Sequence, residues 1–195
     1  MRHQTSLDAD YFEQMFRKSP DPWGFETSAY EQEKYAQTLA ALGGKRFKHV
    51  LEVGCANGVL TARLAPHCHR LLAIDVSETA LSAARERCAG LPEVAFDRMA
   101  FPRQTPAKSA FDLLLLSEVA YYWDDADLQR AAAWISSAMS AAGDLLLVHW
   151  TGGTDYPQSG DDAVTKLHQM LDGHIDVLRA DRHAEYRLDH WRMRA

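Results

Sequence analysis

The chain is poor in cysteine, has no long apolar run and carries no block of basic residues. Each shortage closes off a class of function. Its three cysteines, Cys55, Cys68 and Cys88, are an odd number without Cys-x-x-Cys spacing. That is neither a disulfide framework nor a zinc motif, and it implies a reduced, cytoplasmic setting. His67-Cys68-His69 is the one local gathering of metal-ligand types. Neighbours at the start of a strand point to opposite faces, so no metal site is expected there. No stretch approaches the ~20 apolar residues that cross a bilayer, and the first residues are polar, without a signal-peptide core. No membrane partner is therefore expected. The formal net charge is −6 with no basic cluster, which disfavours a nucleic-acid partner. Repeats and low-complexity segments are absent as well.

What is present describes an ordinary soluble domain. Hydrophobic residues make up 47% and charged residues 25% of 195 positions, enough for a substantial core in one domain, 1–195. The most informative stretch runs from His49 to Leu60. Val50, Leu51 and Val53 read as a strand buried on both faces. A turn follows with Gly54 and Gly58 four positions apart, and then a helical pattern of Val59, Leu60, Ala62 and Leu64. Strand, glycine turn and helix open a βαβ unit that binds a nucleotide-like ligand. The next strand, His69 to Asp75, ends in a carboxylate 21 positions after Gly54. An acidic residue at about that spacing takes ribose hydroxyls.

The remaining elements alternate. A helix is predicted over residues 8–18, with Tyr11, Phe12, Met15 and Phe16 as its apolar stripe. Ser19 to Phe25 contains two prolines and a glycine and is not helical. Its Trp23 and Phe25 either lie over a ligand or plug the edge of the core. Ser28 and Glu31 form a capping box for a helix reaching about Leu42, stopped by Gly43-Gly44. Glu31 and Lys34 read as an i, i+3 surface pair. Ser77 caps a helix over Thr79–Cys88, and Val94–Asp97 is a third strand. Phe111–Leu116 is a central strand, Asp127–Met139 a helix, and Asp144–His149 a fifth strand after Gly143. A helix from Asp162 to Leu171 precedes two strands, His174–Arg179 and Glu185–Trp191, whose short link favours an antiparallel hairpin. Five β/α alternations specify α/β architecture: a three-layer sandwich with a mostly parallel, seven-stranded, Rossmann-like sheet and an antiparallel C-terminal hairpin.

Ligands of such sheets bind outside the carboxyl ends of the strands. That gathers Gly54, Cys55, Ala56, Asn57, Gly58, Asp75, Val76, Met99, Ala100, Ser117 and Glu118. The G-x-G-x-x-G fingerprint of dinucleotide binders is missing, since Ala56 holds its middle position. Glu52, two residues before Gly54, would repel phosphates but receive a cation or ammonium group.

Glu52-x-Gly54-x-Ala56-x-Gly58 with Asp75 resembles motif I of the class I S-adenosylmethionine-dependent methyltransferases. The resemblance implies S-adenosylmethionine as cofactor. Asp75 would then take the ribose hydroxyls, Glu52 would orient the loop or reach the amino-acid end, and Met99 would flank the adenine. Asp21-Pro22-Trp23-Gly24-Phe25, Tyr30-Glu31-x-x-Lys34-Tyr35 and Ser117-Glu118-Val119-Ala120-Tyr121-Tyr122 narrow the likeness. Together they resemble the nodulation N-methyltransferase family (nodulation protein S), over about Tyr11 to His149. This implies methylation of an amine nitrogen on a small molecule such as a deacetylated amino sugar or chitooligosaccharide. Trp23, Tyr30 and Lys34 would meet the cofactor from an N-terminal cap (1–45) on the core (46–195).

Tyr121, Tyr122, Trp150, Asp155 and Tyr156 are the expected acceptor-binding residues. An amine must lose a proton before it attacks, and His149 and Glu118, at two strand ends, are the candidate bases. Alternatively Glu118 contacts only the cofactor and His149 only anchors the Trp150 loop. Rival readings are O-methylation of a small molecule, a nicotinamide-dependent oxidoreductase, and a non-catalytic S-adenosylmethionine-binding module.

Overall fold

The computed structural model describes residues 2–107 and 110–195. The fold is α/β, with a mixed seven-stranded sheet that is mostly parallel and ends in antiparallel strands. The chain divides into two compact units, residues 8–99 and residues 2–7 with 100–195.

In the unit of residues 8–99, β1 (Phe47–Val53), β2 (Cys68–Asp75) and β3 (Val94–Arg98) are parallel, in the order β3-β2-β1. Val50, Leu51, Leu71, Ala73 and Ile74 are buried almost completely. Covering on both faces is why these strands read as unbroken apolar runs. The helices are α1 (Ala9–Lys18), α2 (Ala29–Ala41), α3 (Val59–Leu64) and α4 (Glu78–Arg87). Asp8, Ser28 and Ser77 cap α1, α2 and α4 by accepting from backbone N–H groups. Such caps satisfy donors that a helix start leaves open. Of the stripe expected on α1, Phe16 is buried while Tyr11 faces solvent.

In the other unit, β4 (Phe111–Ser117) pairs in parallel with β5 (Met139–Trp150). β6 (Ile175–Arg182) and β7 (Tyr186–Met193) form the expected hairpin, and the order is β4-β5-β7-β6. Its helices are α5 (Asp125–Ala138) and α6 (Gly160–Met170). Two features depart from the sequence pattern. β5 begins at Met139, directly after α5, because its register steps from Phe111↔Met139 to Leu113↔Asp144 through a bulge. The alternation of strands and helices also breaks between β3 and β4, where the described residues contain no helix and include Pro102 and Pro106. Residues 2–7 are pinned along this unit: His3 N donates to Asp155 O, Leu7 N to Tyr122 O, and Ser6 Oγ to Asp127 Oδ2. Among the described residues, no helix is long and apolar enough to cross a membrane.

Candidate functional site

The turn between β1 and α3 is built from backbone bonds that reach β2. Gly54 N and Cys55 N both donate to Ile74 O, at 2.8 and 3.1 Å. Ala56 follows with φ +50, and its N–H donates to Asp75 Oδ2 at 2.9 Å. Gly58 then starts α3 with φ +79. A Cβ on Gly58 would lie 2.9 Å from both Cα and Cβ of Ala84, so glycine also lets α3 begin hard against α4. Asp75 Oδ1 accepts from Ser77 N at 2.8 Å, which makes this carboxylate the joint between the loop and the cap of α4. The two oxygens together offer about four acceptor sites, so capacity remains for a ligand hydroxyl. Burial pushes the Asp75 carboxyl up from its usual range, the Ser77, Ala56 and Val76 N–H groups work against that, and the charge of Glu13 adds to it. Met99 is held at this edge, its N–H donating to Asp75 O at 2.9 Å, and Val76 O accepts from Arg98 Nε. The Cys55 side chain packs into the core with Ala73 and Leu81, and Phe96 lies against that cluster.

Behind the loop lie polar groups that the protein does not satisfy. Among the described residues, neither Asn57 Oδ1, Asn57 Nδ2 nor Glu52 Oε2 has a hydrogen-bond partner, although all three are buried. Such groups cost free energy unless something pairs with them. The two oxygens fit an ammonium group or other donors of a small ligand, and Asn57 Nδ2 fits an acceptor such as a carboxylate. Glu52 carries the consequence in its titration: burial raises its pKa to about 7, against the Thr61 hydroxyl and with a contribution from Asp75. The folded chain thus keeps a proton that the unfolded chain gives up from about pH 4.5 upward, and stability falls as pH rises towards 7. Glu52→Gln removes this loss. Its ligand-free melting temperature should exceed that of the wild type at pH 8, by an amount equivalent to on the order of 3 kcal/mol, and match it at pH 4.5. Equal differences at both pH values would contradict the ionisation argument.

The N-terminal aromatics are packed rather than loose. Trp23 meets Phe16 and Phe25 at ring separations of 5.6 and 5.5 Å. Asp21 fixes the loop by accepting from Phe25 N and Glu26 N. Gln32 Nε2 donates to Phe25 O, and Arg87 pairs with Glu26. Glu31 and Lys34 are not a surface pair. Lys34 Nζ is 2.9 Å from Glu31 Oε1, both residues are buried, and the ammonium also sits over the Tyr30 ring. The i, i+3 spacing is the same for exposed and buried pairs, and packing alone decides between them.

The remaining candidates belong to the other unit. Glu118 follows β4 in a left-handed conformation, φ +57, with its N–H on Val148 O. Its Oε2 accepts from Tyr121 Oη at 2.7 Å and from Trp150 N at 2.9 Å. His149 is fully inaccessible, and its Nε2 accepts the Ala120 N–H at 3.1 Å. In this arrangement His149 supports the turn after β4. Tyr121 stacks on Tyr156 at 5.4 Å and meets Tyr122 edge to face at 4.6 Å. Burial first, and the Glu118 charge second, push the Tyr121 phenol well up, so it stays protonated as a donor to Glu118. Ser117 is the half-buried last residue of β4, and Ala100 is tied to Gln104 by two bonds in a turn. Trp150, Asp155 and Tyr156 line a cleft of about 480 Å³ together with Arg2, Gly153 and Thr154. Arg2 was not foreseen. Nothing in the sequence signals that the first residues fold back onto this loop.

The model of the nodulation protein S (NodS) family matches residues 9–149. The chain belongs to the nodulation protein S family. Nodulation protein S of Sinorhizobium fredii is 38% identical over 113 residues, 57% of this chain and 52% of that protein. The Rhizobium tropici protein is 33% identical over 128 residues, 65% of this chain and 53% of its own length. The chain thus spans about half the length of the curated relatives it matches. A solved chain from Pseudomonas syringae is 36% identical with a TM-score of 0.68, over 85% of this chain and 99% of that one. The N-methyltransferase NodS of Bradyrhizobium japonicum, solved with S-adenosylhomocysteine, has a TM-score of 0.82 at 23% identity, over 95% and 97% of the two chains. The likeness in fold to that NodS continues past residue 149, where the family match stops.

Proposed function

We propose that this NodS-family chain transfers a methyl group from S-adenosylmethionine to an amine nitrogen of a small acceptor, an amino sugar of the deacetylated chitooligosaccharide type, in the cytoplasm. The observation that carries the cofactor is the set of buried, unsatisfied polar atoms of Glu52 and Asn57 beside the Ala56–Asp75 bond. S-adenosylmethionine has an ammonium group and ribose hydroxyls for the acceptor oxygens, a carboxylate for Asn57 Nδ2, and no phosphate to be repelled by Glu52. When bound, it supplies a methyl group made electrophilic by a sulfonium. Asp75 receives the ribose hydroxyls, Asn57 and Glu52 receive the amino-acid end, and Met99 lies along the adenine.

On the acceptor side, the chain's main task is to orient a neutral lone pair, an effect worth up to ~7–11 kcal/mol. A protonated amine has no such pair. Glu118 is the half-buried carboxylate assigned to take its proton, held in place by Tyr121 and Trp150 N. The aromatic faces of Trp150 and Tyr156 beside the Asp155 carboxylate suit a sugar ring that carries a cation. The test incubates protein and cofactor with matched chitooligosaccharides, one deacetylated at a single sugar and one fully acetylated, alongside simple alcohols and thiols. A 14-dalton gain confined to the deacetylated sugar is expected. Equal transfer to the acetylated oligomer or to alcohols would overturn the assignment to nitrogen.

A further inference from the structure

Glu13 lies on α1 and belongs to no motif, yet it makes the densest set of side-chain bonds on that helix. Its Oε2 accepts from Ser77 Oγ at 2.7 Å and Thr79 N at 3.2 Å, and its Oε1 accepts from Thr79 Oγ1 at 2.7 Å. Arg17, one turn on, covers Oε1 from the solvent side at 2.8 Å. The side chain is only 13% exposed, and these donors hold its carboxyl down at about 2. A surface helix docked only by its apolar face would not need a buried charge. Here the partners are the first residues of α4, where an anion is favoured by the open N–H groups and the helix dipole.

The target of the contact matters more than its strength. Ser77 works in three directions at once. Its hydroxyl donates to Glu13 and accepts from Ala80 N at 3.1 Å, and its backbone N–H donates to Asp75 Oδ1 at 2.8 Å. Asp75 in turn holds the Ala56 N–H with its other oxygen. Glu13, Ser77, Asp75 and Ala56 therefore form one continuous hydrogen-bonded line from α1 to the glycine turn.

We propose that Glu13 is a positioning residue for Asp75: through Ser77 it fixes the rotamer in which both Asp75 oxygens are presented to a ribose, without touching the ligand itself. The inference rests on the assignment of Asp75 to the ribose of the cofactor. Without Glu13, the Ser77 hydroxyl keeps only its bond from Ala80 N, and the start of α4, whose Ser77 backbone N–H anchors the second Asp75 oxygen, is held less firmly. α1 thereby tunes cofactor affinity from outside the motif.

The test is a double-mutant cycle on S-adenosylhomocysteine affinity, measured by calorimetry on wild type, Glu13→Ala, Asp75→Ala and the double variant. Non-additivity is the signature of residues acting in one network. Glu13→Ala should weaken binding about tenfold in the wild type and less than twofold in the Asp75→Ala background. Glu13→Gln, which keeps the shape but can satisfy fewer donors, should fall between wild type and Glu13→Ala. It also serves as the probe if the alanine variant does not fold. Full, additive losses would show that Glu13 only docks α1 and would overturn the proposal. Unchanged affinity in Glu13→Ala, with a clear loss in Asp75→Ala, would overturn it while leaving the cofactor assignment standing. Failure of the wild type to bind S-adenosylhomocysteine would remove both.

Discussion

Replacing Asp75 by alanine is expected to weaken S-adenosylhomocysteine binding at least tenfold, with the far-ultraviolet circular dichroism unchanged. The carboxylate is 8% exposed, and each oxygen is already oriented by one backbone N–H, from Ala56 and from Ser77. Acceptor capacity remains for a ligand hydroxyl. Hydrogen bonds to a charged group contribute ~1.5–3 kcal/mol each, and 1.4 kcal/mol is about tenfold in affinity. The loss of one bond alone thus meets the expectation. Alanine also leaves the Ala56 and Ser77 N–H groups without their acceptor, which loosens the turn that faces the ligand. Asp75→Asn keeps the shape and one acceptor oxygen and should fall between the two. Calorimetric affinities that stay the same in Asp75→Ala would remove this residue from the cofactor site.

The second large effect concerns stability rather than binding. Gly58→Val should lower the melting temperature by roughly 5–15 °C. At φ +79 a side chain pays about 1–2 kcal/mol for the left-handed conformation. Its Cβ would also press to 2.9 Å on the Cα and Cβ of Ala84, where the neighbour is backbone and cannot swing aside. Overpacking of that kind costs about 1–3 kcal/mol more, and each kcal/mol moves the midpoint by about 2–4 °C at this chain length. Gly90→Ala is the control, because no atom lies within 4 Å of a Cβ there. A Gly58→Val protein that melts with the wild type would mean that α3 does not need this close start against α4.

The parts of the fold that could be read in advance are those set by local pattern. β1, β2 and β4 announce themselves as apolar runs because both faces are covered, and Ser28 and Ser77 cap helices by short-range bonds. Gly54, Gly58 and Asp75 could be read because close backbone approach and a strand-end carboxylate leave marks at fixed spacing. What was not legible depends on partners far along the chain. Glu31 and Lys34 look like any surface pair until α2 is packed, and only then is the ammonium enclosed with Tyr30. The bond that His149 Nε2 takes from the Ala120 N–H reaches across 29 positions. Glu13 meets Ser77 and Thr79 across more than 60 positions, and Arg2 reaches Asp162 across 160. The early start of β5 escaped for a different reason, since the bulge at Ser140 to Gly143 lacks the apolar alternation that marks a strand.

The central claim is that the Glu52–Gly58 turn with Asp75 holds a phosphate-free adenosyl cofactor. Its most direct test is a calorimetric titration of the wild-type protein with S-adenosylhomocysteine and, separately, with the oxidised and reduced nicotinamide dinucleotides. One-to-one binding of S-adenosylhomocysteine, with no heat of binding from either dinucleotide, is the predicted result. Dinucleotide binding of equal or greater strength, or no binding of S-adenosylhomocysteine, would contradict it.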